Sequence, residues 1–516
     1  MNVAQHVERG RSAFPSRTAL IFEGRLLSYA ELDRLASRCA NLLAALGIGF
    51  GDRVVLFLPN IPEFVVAYLG VLKLGAICVS ASAMLQEPEL AYLLDDSGAR
   101  LVITTAELRG RVPGRDGGAP WQILIAEGPA DAAEDLARML EQARDRRPAA
   151  RVRRHTPAAI VYTSGTTGHP KGAVLSHGNI QTCMAAKRRY CGTGPADRML
   201  LFLPLFHCFG QNAILNHGLH AGATIVLQRR FAPDQVAESI VRDRISMFFG
   251  VPTAFIRMLD HAGAAALAGL RYSLTAGASM PVEVARRWRG QVGRPAYEGY
   301  GLTETSPFAS YNHARRYQLG SVGTPIAGVE MAVVDPLGQP LPPGERGEIV
   351  IRGPNVMLAY WNRPEETAAA LRGGWFHTGD IGVRDDAGYF AVVDRLKDMI
   401  NVAGFKVYPA EVEQVLYQHP AVAEAAVFAG ADPLRGESVR AHVCLKAGQA
   451  CSPEELIGFC RDRIALVKVP SSIALVDALP KSPTGKILRR LLRDQDAQRT
   501  GPPTVASGAD AASPAA

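Results

Sequence analysis

Eleven residues, Tyr162 to Gly172 (YTSGTTGHPKG), bring glycine, hydroxyl and lysine together in the mixture that suits a polyphosphate. Gly165, Gly168 and Gly172 remove side chains so that backbone N–H groups can approach anionic oxygens, Ser164, Thr166 and Thr167 add hydroxyl donors, and Lys171 adds a charge. A Walker-type loop needs G-x-x-x-x-G-K-[ST] opening a helix, whereas Lys171 lies between Pro170 and Gly172. The ordinary kinase or GTPase loop is thereby excluded. Ala158–Val161 and Ala173–Leu175 read as strands on either side, so the loop is expected to close a hairpin. A flexible Gly/Thr hairpin with an exposed lysine is the competing reading, and the full run of matching residue types weighs against it.

Three further clusters carry chemistry. Tyr300-Gly301-Leu302-Thr303-Glu304-Thr305 places an aromatic face, a hydroxyl and one carboxylate together after an apparent strand. A Mg²⁺ ion takes only one or two protein carboxylates when phosphate oxygens and water fill its other positions, so Glu304 alone suffices, although Thr-Glu also caps helix starts. Trp375 to Asp380 (WFHTGD) ends in a carboxylate expected on a Gly turn, suited to two ribose hydroxyls, or an ordinary turn aspartate. Lys481 to Lys486 (KSPTGK) is a Pro/Gly loop presenting a lysine, by default a solvated basic loop.

The elements that must position these groups read as α/β. Apolar strand-like runs at Arg53–Leu58, Ile77–Ser80 and Leu101–Thr104 alternate with helix-like segments, among them a core helix between Pro62 and Gly75. Arg109 to Ala150 is rich in charge, Pro and Gly, with a surface helix expected at Asp131–Arg146, and is expected to bridge two sub-sheets. Leu341 to Gly353 reads as a small β-rich subdomain. Beyond Asp394-Arg395-Leu396-Lys397-Asp398, the order helix Ala410–Gln418, strand Val422–Phe428, strand Ser438–Leu445, helix Pro453–Ile464 reads as a compact α+β module. The expected organisation is a large amino-terminal domain over residues 1–394, a hinge at 395–397, a smaller mobile carboxy-terminal domain over 398–495 and a disordered tail over 496–516.

Composition narrows the class. A chain of 516 residues exceeds what one hydrophobic core usually serves, and 48% hydrophobic with 20% charged residues is ordinary for a soluble globular protein. The net charge of +7 suits phosphate-bearing small molecules and does not argue for nucleic acid. The eight cysteines show no metal spacing and read as buried free thiols in a cytoplasmic protein. The apolar stretch Phe64–Leu74 is too short to span a bilayer, which leaves room only for peripheral membrane contact.

Taken together, the phosphate loop, LPLFHCFG (203–210), GASMP (277–281), YGLTE (300–304), HTGD (377–380), DRLKDMINVAGFKVYP (394–409) and the Lys481–Lys486 loop resemble, in order and over residues 15 to 493, the adenylate-forming superfamily of acyl-CoA synthetases, nonribosomal peptide adenylation domains and luciferases. The resemblance implies that Thr163, Ser164, Gly165, Thr166, Thr167, Gly168 and Lys171 hold the ATP phosphates, Glu304 the Mg²⁺ and Thr303 the α-phosphate. Gly277, Ala278, Ser279 and Tyr300, with Gly301 beside them, would line the adenine, and Asp380 and Arg395 would bind the ribose. Lys397 would sit at the hinge, Gly404 would face the thiol tunnel, and Lys486 would contact both the substrate carboxylate and the α-phosphate. The implied reaction is attack of a carboxylate on ATP to give acyl-AMP and pyrophosphate, followed by transfer to the thiol of CoA or of an acyl carrier protein.

In that family Leu203–Leu227 and Ser246–Phe255 border the acyl pocket, and neither stretch contains Asp, Glu, Lys or Arg. An amino acid would need a buried carboxylate for its ammonium and a dicarboxylate a cation, so an uncharged tail is expected. Phe206, Phe209, Phe248, Phe249 and Val251 are candidate lining residues, and His207 reads as a gate or orienting residue, or as a structural histidine. Medium- to long-chain fatty acids are the first expectation and aryl or cyclic acids the second.

Overall fold

The computed structural model describes residues 1–114, 121–127, 135–163 and 170–500. The chain divides into two compact units, Met1–Val392 together with Pro483–Lys486, and Val393–Ser482 together with the residues from Ile487 onward. The division falls inside the strand Phe390–Arg395, and Pro483–Lys486, placed by sequence order in the carboxy-terminal module, groups by its contacts with the first unit.

The first unit holds two large sheets of mostly parallel strands. One runs, in spatial order, Thr324–Pro325, Ser310–Tyr311, Ala296–Tyr300, Tyr272–Ala276, Met247–Gly250, Arg198–Leu201, Thr224–Leu227, Thr18–Phe22 and Arg25–Ser28. The other runs Ala359–Tyr360, Lys171–Ser176, Pro157–Thr163, Ile77–Ala81, Arg53–Phe57, Leu101–Thr104 and Gln122–Ile125. Their central strands are buried along their length, as parallel strands covered on both faces must be. The core helix Pro62–Leu74 forms as expected, with Pro62 at its first turn and Gly75 ending it at φ 74°. A third, antiparallel sheet (Glu330–Val334, Arg346–Arg352, Phe376–Arg384, Phe390–Arg395) follows the β-rich sequence signal.

The described part of Arg109–Ala150 extends one sheet instead of bridging two. Its strand Gln122–Ile125 pairs in parallel with Leu101–Thr104 and becomes the edge of one sheet, because the short QILI run has an open strand beside it to extend. The expected surface helix is shorter, Leu136–Gln142, starting at the Asp135 side-chain cap; the segment 128–134 lies outside the described residues.

The second unit wraps strands Phe405–Val407, Ile400–Val402, Gly436–Leu445, Val422–Asp432 and Ser472–Leu475 around helices Pro409–Leu416 and Pro453–Arg461. Its core includes Val412, Leu416, Val427, Val443 and Leu456. A helix over Arg489–Thr500 occupies residues 496–500, which the sequence reading assigned to an unstructured tail. Leu492 of this helix packs against Ala426 and Phe428, and Asp496 pairs with Arg440, which anchors the helix to the unit; residues 501–516 lie outside the described set.

Candidate active site

The parallel strands deliver the candidate residues at their carboxyl ends, where an open α/β sheet leaves a crevice. His207 follows the strand Arg198–Leu201, Val251 follows Met247–Gly250, Gly277 follows Tyr272–Ala276, Tyr300 ends Ala296–Tyr300, and Thr163 ends Pro157–Thr163.

Ser164, Gly165, Thr166, Thr167 and Gly168 lie outside the described residues, but both stems of their loop are defined. Tyr162 pairs with Gly172 and Thr163 with Lys171 in an antiparallel hairpin, as the sequence predicts. Asp96 anchors this hairpin. Its carboxylate accepts from Tyr162 Oη at 2.7 Å and from Arg363 at 2.7 Å, while its carbonyl accepts from Trp361 Nε1 at 3.0 Å. Tyr92 Oη donates to the Pro170 carbonyl at 3.1 Å on the far stem. Gly172 has a different task from the one its type suggested. It sits inside the strand Lys171–Ser176, and a Cβ there would lie 2.6 Å from Ile160 Cγ2 and 3.2 Å from Tyr162 Cζ, so packing excludes a side chain.

Thr303 and Glu304 lie in one buried turn of 3₁₀ helix, Thr303–Thr305, directly after the Tyr300 strand. Tyr360 Oη donates to Glu304 Oε1 at 2.8 Å, and Lys171 Nζ lies 5.6 Å from the centroid of the same Tyr360 ring. Burial and then the Glu304 charge push the Tyr360 phenol upward, which keeps it a donor. Tyr360 therefore joins the lysine of the phosphate loop to the carboxylate expected to hold the metal. No group of three or more His, Cys, Asp or Glu side chains forms a cage among the described residues. A single buried, hydrogen-bonded carboxylate fits Mg²⁺ that takes its other ligands from phosphate and water. Gly301 also answers to packing, because a Cβ would meet the Pro307 carbonyl oxygen at 2.0 Å.

Gly277, Ala278 and Ser279 form an exposed loop, with Gly277 at φ 89°. Glu298 holds that loop by accepting from Met280 N at 3.0 Å, and burial pushes its carboxyl up to about 8. Tyr300 Oη donates to Asp380 Oδ2 at 2.7 Å, joining the expected adenine and ribose positions. Asp380 does not sit on a turn. It lies in the strand Phe376–Arg384, where Gly379 at φ 69° accompanies a register shift against Arg346–Arg352.

His207 caps the short helix Cys208–Gly210, its Nδ1 accepting from Phe209 N at 3.1 Å. Burial, and secondarily the Lys486 charge, lowers its pKa to about 3. The imidazole is thus neutral and, with Nδ1 accepting, carries its proton on Nε2. Lys486 is the group that completes this end of the first unit. A Cβ built on Gly277 would lie 3.0 Å from Lys486 Cε, and Gly485 O accepts from Thr253 Oγ1 at 3.1 Å. Lys486 is therefore not a freely solvated basic residue.

In the second unit Arg395 and Lys397 are exposed, at the end of Phe390–Arg395 and in the turn Leu396–Asp398. Arg489 braces this segment by pairing with Glu413 at 2.7 Å and with Asp394 at 3.2 Å, and Arg493 pairs with Asp398 at 2.9 Å. Gly404 occupies the hairpin turn between Ile400–Val402 and Phe405–Val407 at φ 91°, with open space where a Cβ would project.

The expected acyl-lining residues separate. Phe248 packs onto Trp288, Phe255 and Phe202, whereas Phe249 points to the opposite face of the sheet beside Tyr272, as adjacent strand residues must. Phe209 meets Phe308 edge-on at 5.7 Å, and Val251 lies beside Gly277 and Gly485. Tyr360, Asp96, Glu298 and Arg489 escape a reading by motif, since each acts on a site residue from a distant stretch. Only the apolar LAYW run around Tyr360 hinted at a strand facing the phosphate loop.

Fold and site together define a nucleotide-using, adenylate-forming enzyme. Residues 7–361 match the AMP-binding enzyme family and residues 411–486 the AMP-binding enzyme C-terminal domain. The chain is 38% identical over 492 residues to a feruloyl-CoA synthase of Amycolatopsis sp, covering 94% of this chain and 97% of that one. It is 35% identical over 519 residues to a long-chain-fatty-acid–CoA ligase of Bacillus subtilis (strain 168), covering 94% and 93%. The crystal structure of the anthranilate CoA ligase AuaEII in complex with anthranoyl-AMP superposes with a TM-score of 0.92 at 29% identity, covering 97% and 98%. The chain belongs to the AMP-binding enzyme family. It is an AMP-forming acid–thiol ligase that works with ATP, Mg²⁺ and CoA. Among the described residues no helix is long and apolar enough to cross a membrane.

Proposed function

We propose that this ligase activates a carboxylic acid with an apolar body, an aryl acid in the first place, and transfers it through acyl-AMP to CoA. The observation that carries the reading is the placement of Lys486 with the first unit, its Cε close to Gly277 and its charge felt by His207 and Cys208. A lysine there neutralises the carboxylate as it attacks the α-phosphorus and the charge that builds on that phosphorus. His207, neutral with its proton on Nε2, orients the carboxylate. Thr303 contributes a hydroxyl to the α-phosphate, and Tyr300 with Asp380 receives the nucleoside. Mg²⁺ at Glu304 would screen the phosphate oxygens as pyrophosphate departs. Lys171 remains a charge on the phosphate loop.

The ring pair Phe209–Phe308 favours a flat acid, and the feruloyl and anthranilate relatives are in keeping with that. The uncharged, largely buried run Leu203–Leu227 and the Bacillus relative favour a fatty acid as the second reading. Pyrophosphate release measured across fatty, aryl and amino acids, with CoA, with a holo carrier protein and with neither acceptor, decides among them. No release with any acid would overturn the adenylation reading, and thioester formation only on the carrier protein would overturn the CoA assignment.

A further inference from the structure

The helix His177–Cys191 carries Cys183, Lys187 and Cys191 at spacings of four, one face of an α-helix. That face lies behind the metal-binding turn, where the Cys183 thiol donates to the carbonyls of Thr305 and Phe308 at 3.3 and 3.5 Å. One turn further on, Lys187 is 1% exposed. Its Nζ donates to the Ala213 carbonyl at 2.5 Å and lies 4.3 Å from the Phe249 ring centroid and 5.2 Å from that of Phe308. No carboxylate among the described residues pairs with it, so an ammonium with three donors has one hydrogen-bond acceptor and two ring faces. Burial lowers its pKa to about 8, the direction expected when solvation is withdrawn and no counter-charge replaces it.

Ala213 belongs to a second unusual feature. Gln211–Asn216 is wound as a π-helix, a form that recurs at functional positions. Three buried side-chain atoms of this segment, Gln211 Oε1, Asn212 Nδ2 and Asn216 Oδ1, have no hydrogen-bond partner. Leaving a buried polar atom unpaired forfeits its hydration with nothing in return. A region that only sealed an apolar tail would gain nothing from carrying these atoms together with a lysine.

We infer that Lys187 is a specificity-determining residue, receiving an oxygen acceptor, hydroxyl or carboxylate, at the end of the acid remote from the reacting carboxylate. This deepens the proposed function and rests on it. On this inference the cation comes from a helix outside the two uncharged stretches expected to border the pocket. In sequence it reads as part of the basic helix end Lys187-Arg188-Arg189, and only the fourfold spacing with Cys183 and Cys191 marks it as inward-facing.

The test compares cinnamate, 4-hydroxycinnamate and 4-carboxycinnamate, and in parallel octanoate and 8-hydroxyoctanoate, in the pyrophosphate assay with wild type and Lys187→Met. A hydrogen bond to a charged group is worth about 1.5–3 kcal/mol, so wild type is expected to favour an oxygen-bearing acid over its parent by about 10- to 100-fold in kcat/KM. Lys187→Met should erase that preference, with the larger loss on the substituted acid. Preference for the hydroxyl or for the carboxyl arm identifies the group received. Indifference of wild type within each set overturns the inference, as does an equal loss on parent and substituted acids in the variant. If Lys187→Met does not fold, the wild-type preference decides alone. Turnover of none of these acids or of any other would overturn the ligase reading instead.

Discussion

Tyr360 Oη donates to Glu304 Oε1 at 2.8 Å, tying a residue of the edge strand Ala359–Tyr360 to the carboxylate expected to hold Mg²⁺. The bond fixes which way the carboxylate faces before any ligand arrives. Outer partners of metal ligands commonly account for about 10- to 100-fold in metal affinity or activity. Tyr360→Phe is therefore expected to raise the Mg²⁺ concentration for half-maximal pyrophosphate release by about that factor. An unchanged Mg²⁺ titration would show that Glu304 is positioned without Tyr360.

The proposed role of Lys486 distinguishes the two half-reactions. Removing one preorganised donor to developing charge costs about 10²- to 10³-fold, so Lys486→Ala should lose at least that much adenylation rate. Thioester formation from supplied acyl-AMP and CoA should persist in the same variant. Equal loss in both assays would reject this division of labour.

Gly172→Ala tests the close packing beneath the phosphate loop. The added methyl meets Ile160 Cγ2 at 2.6 Å and presses on the Tyr162 ring, whose hydroxyl holds Asp96. Overpacking of this kind costs about 1–3 kcal/mol. A lower unfolding temperature with a raised KM for ATP is the expected pair of effects. A wild-type unfolding temperature would mean the hairpin has slack that the contacts do not reveal.

Acid should loosen the first unit through its buried histidines. Burial lowers the pKa of His6 and of His177 to about 3 and that of His220 to about 4, and His6 and His220 meet through their Nδ1 atoms at 3.2 Å. These groups stay neutral in the folded protein but take up protons when unfolded, near pH 6.5. Above about pH 6.5 they contribute no slope; as pH falls below it, each removes up to about 1.4 kcal/mol per pH unit until its folded pKa is reached. The unfolding temperature should fall between pH 7 and 5, and His6→Gln should make that limb shallower. Identical limbs would assign the acid sensitivity elsewhere.

Arg489 tests the brace around the segment Asp394 to Asp398 of the second unit. Its guanidinium is paired with Glu413, itself pushed upward by burial, and with Asp394. Breaking a buried pair from one side costs about 3–5 kcal/mol, so Arg489→Met should markedly destabilise this unit in proteolysis or hydrogen exchange. Protection equal to wild type would show the ion pairs to be dispensable.

The residues proposed to face the nucleotide can be picked out in the sequence because each lies in a short contiguous run: the hairpin stems Tyr162–Thr163 and Lys171–Gly172, Thr303-Glu304, Asp380, and the Lys481–Lys486 loop. The α/β class was legible too, since strand and helix periodicities are local properties of the chain. What the chain alone did not disclose is how distant runs meet. Tyr360 reaches Glu304 across 56 residues and Arg363 reaches Asp96 across 267, and those meetings depend on strand order, which no local pattern encodes. The same holds for Gly172 and Gly301, where a side chain would meet Ile160 and the Pro307 carbonyl, residues the local sequence does not point to. It holds most for Lys187, whose burial among rings is decided by the helix that carries it across the sheet, where withdrawal from water turns a commonplace charge into a specific one.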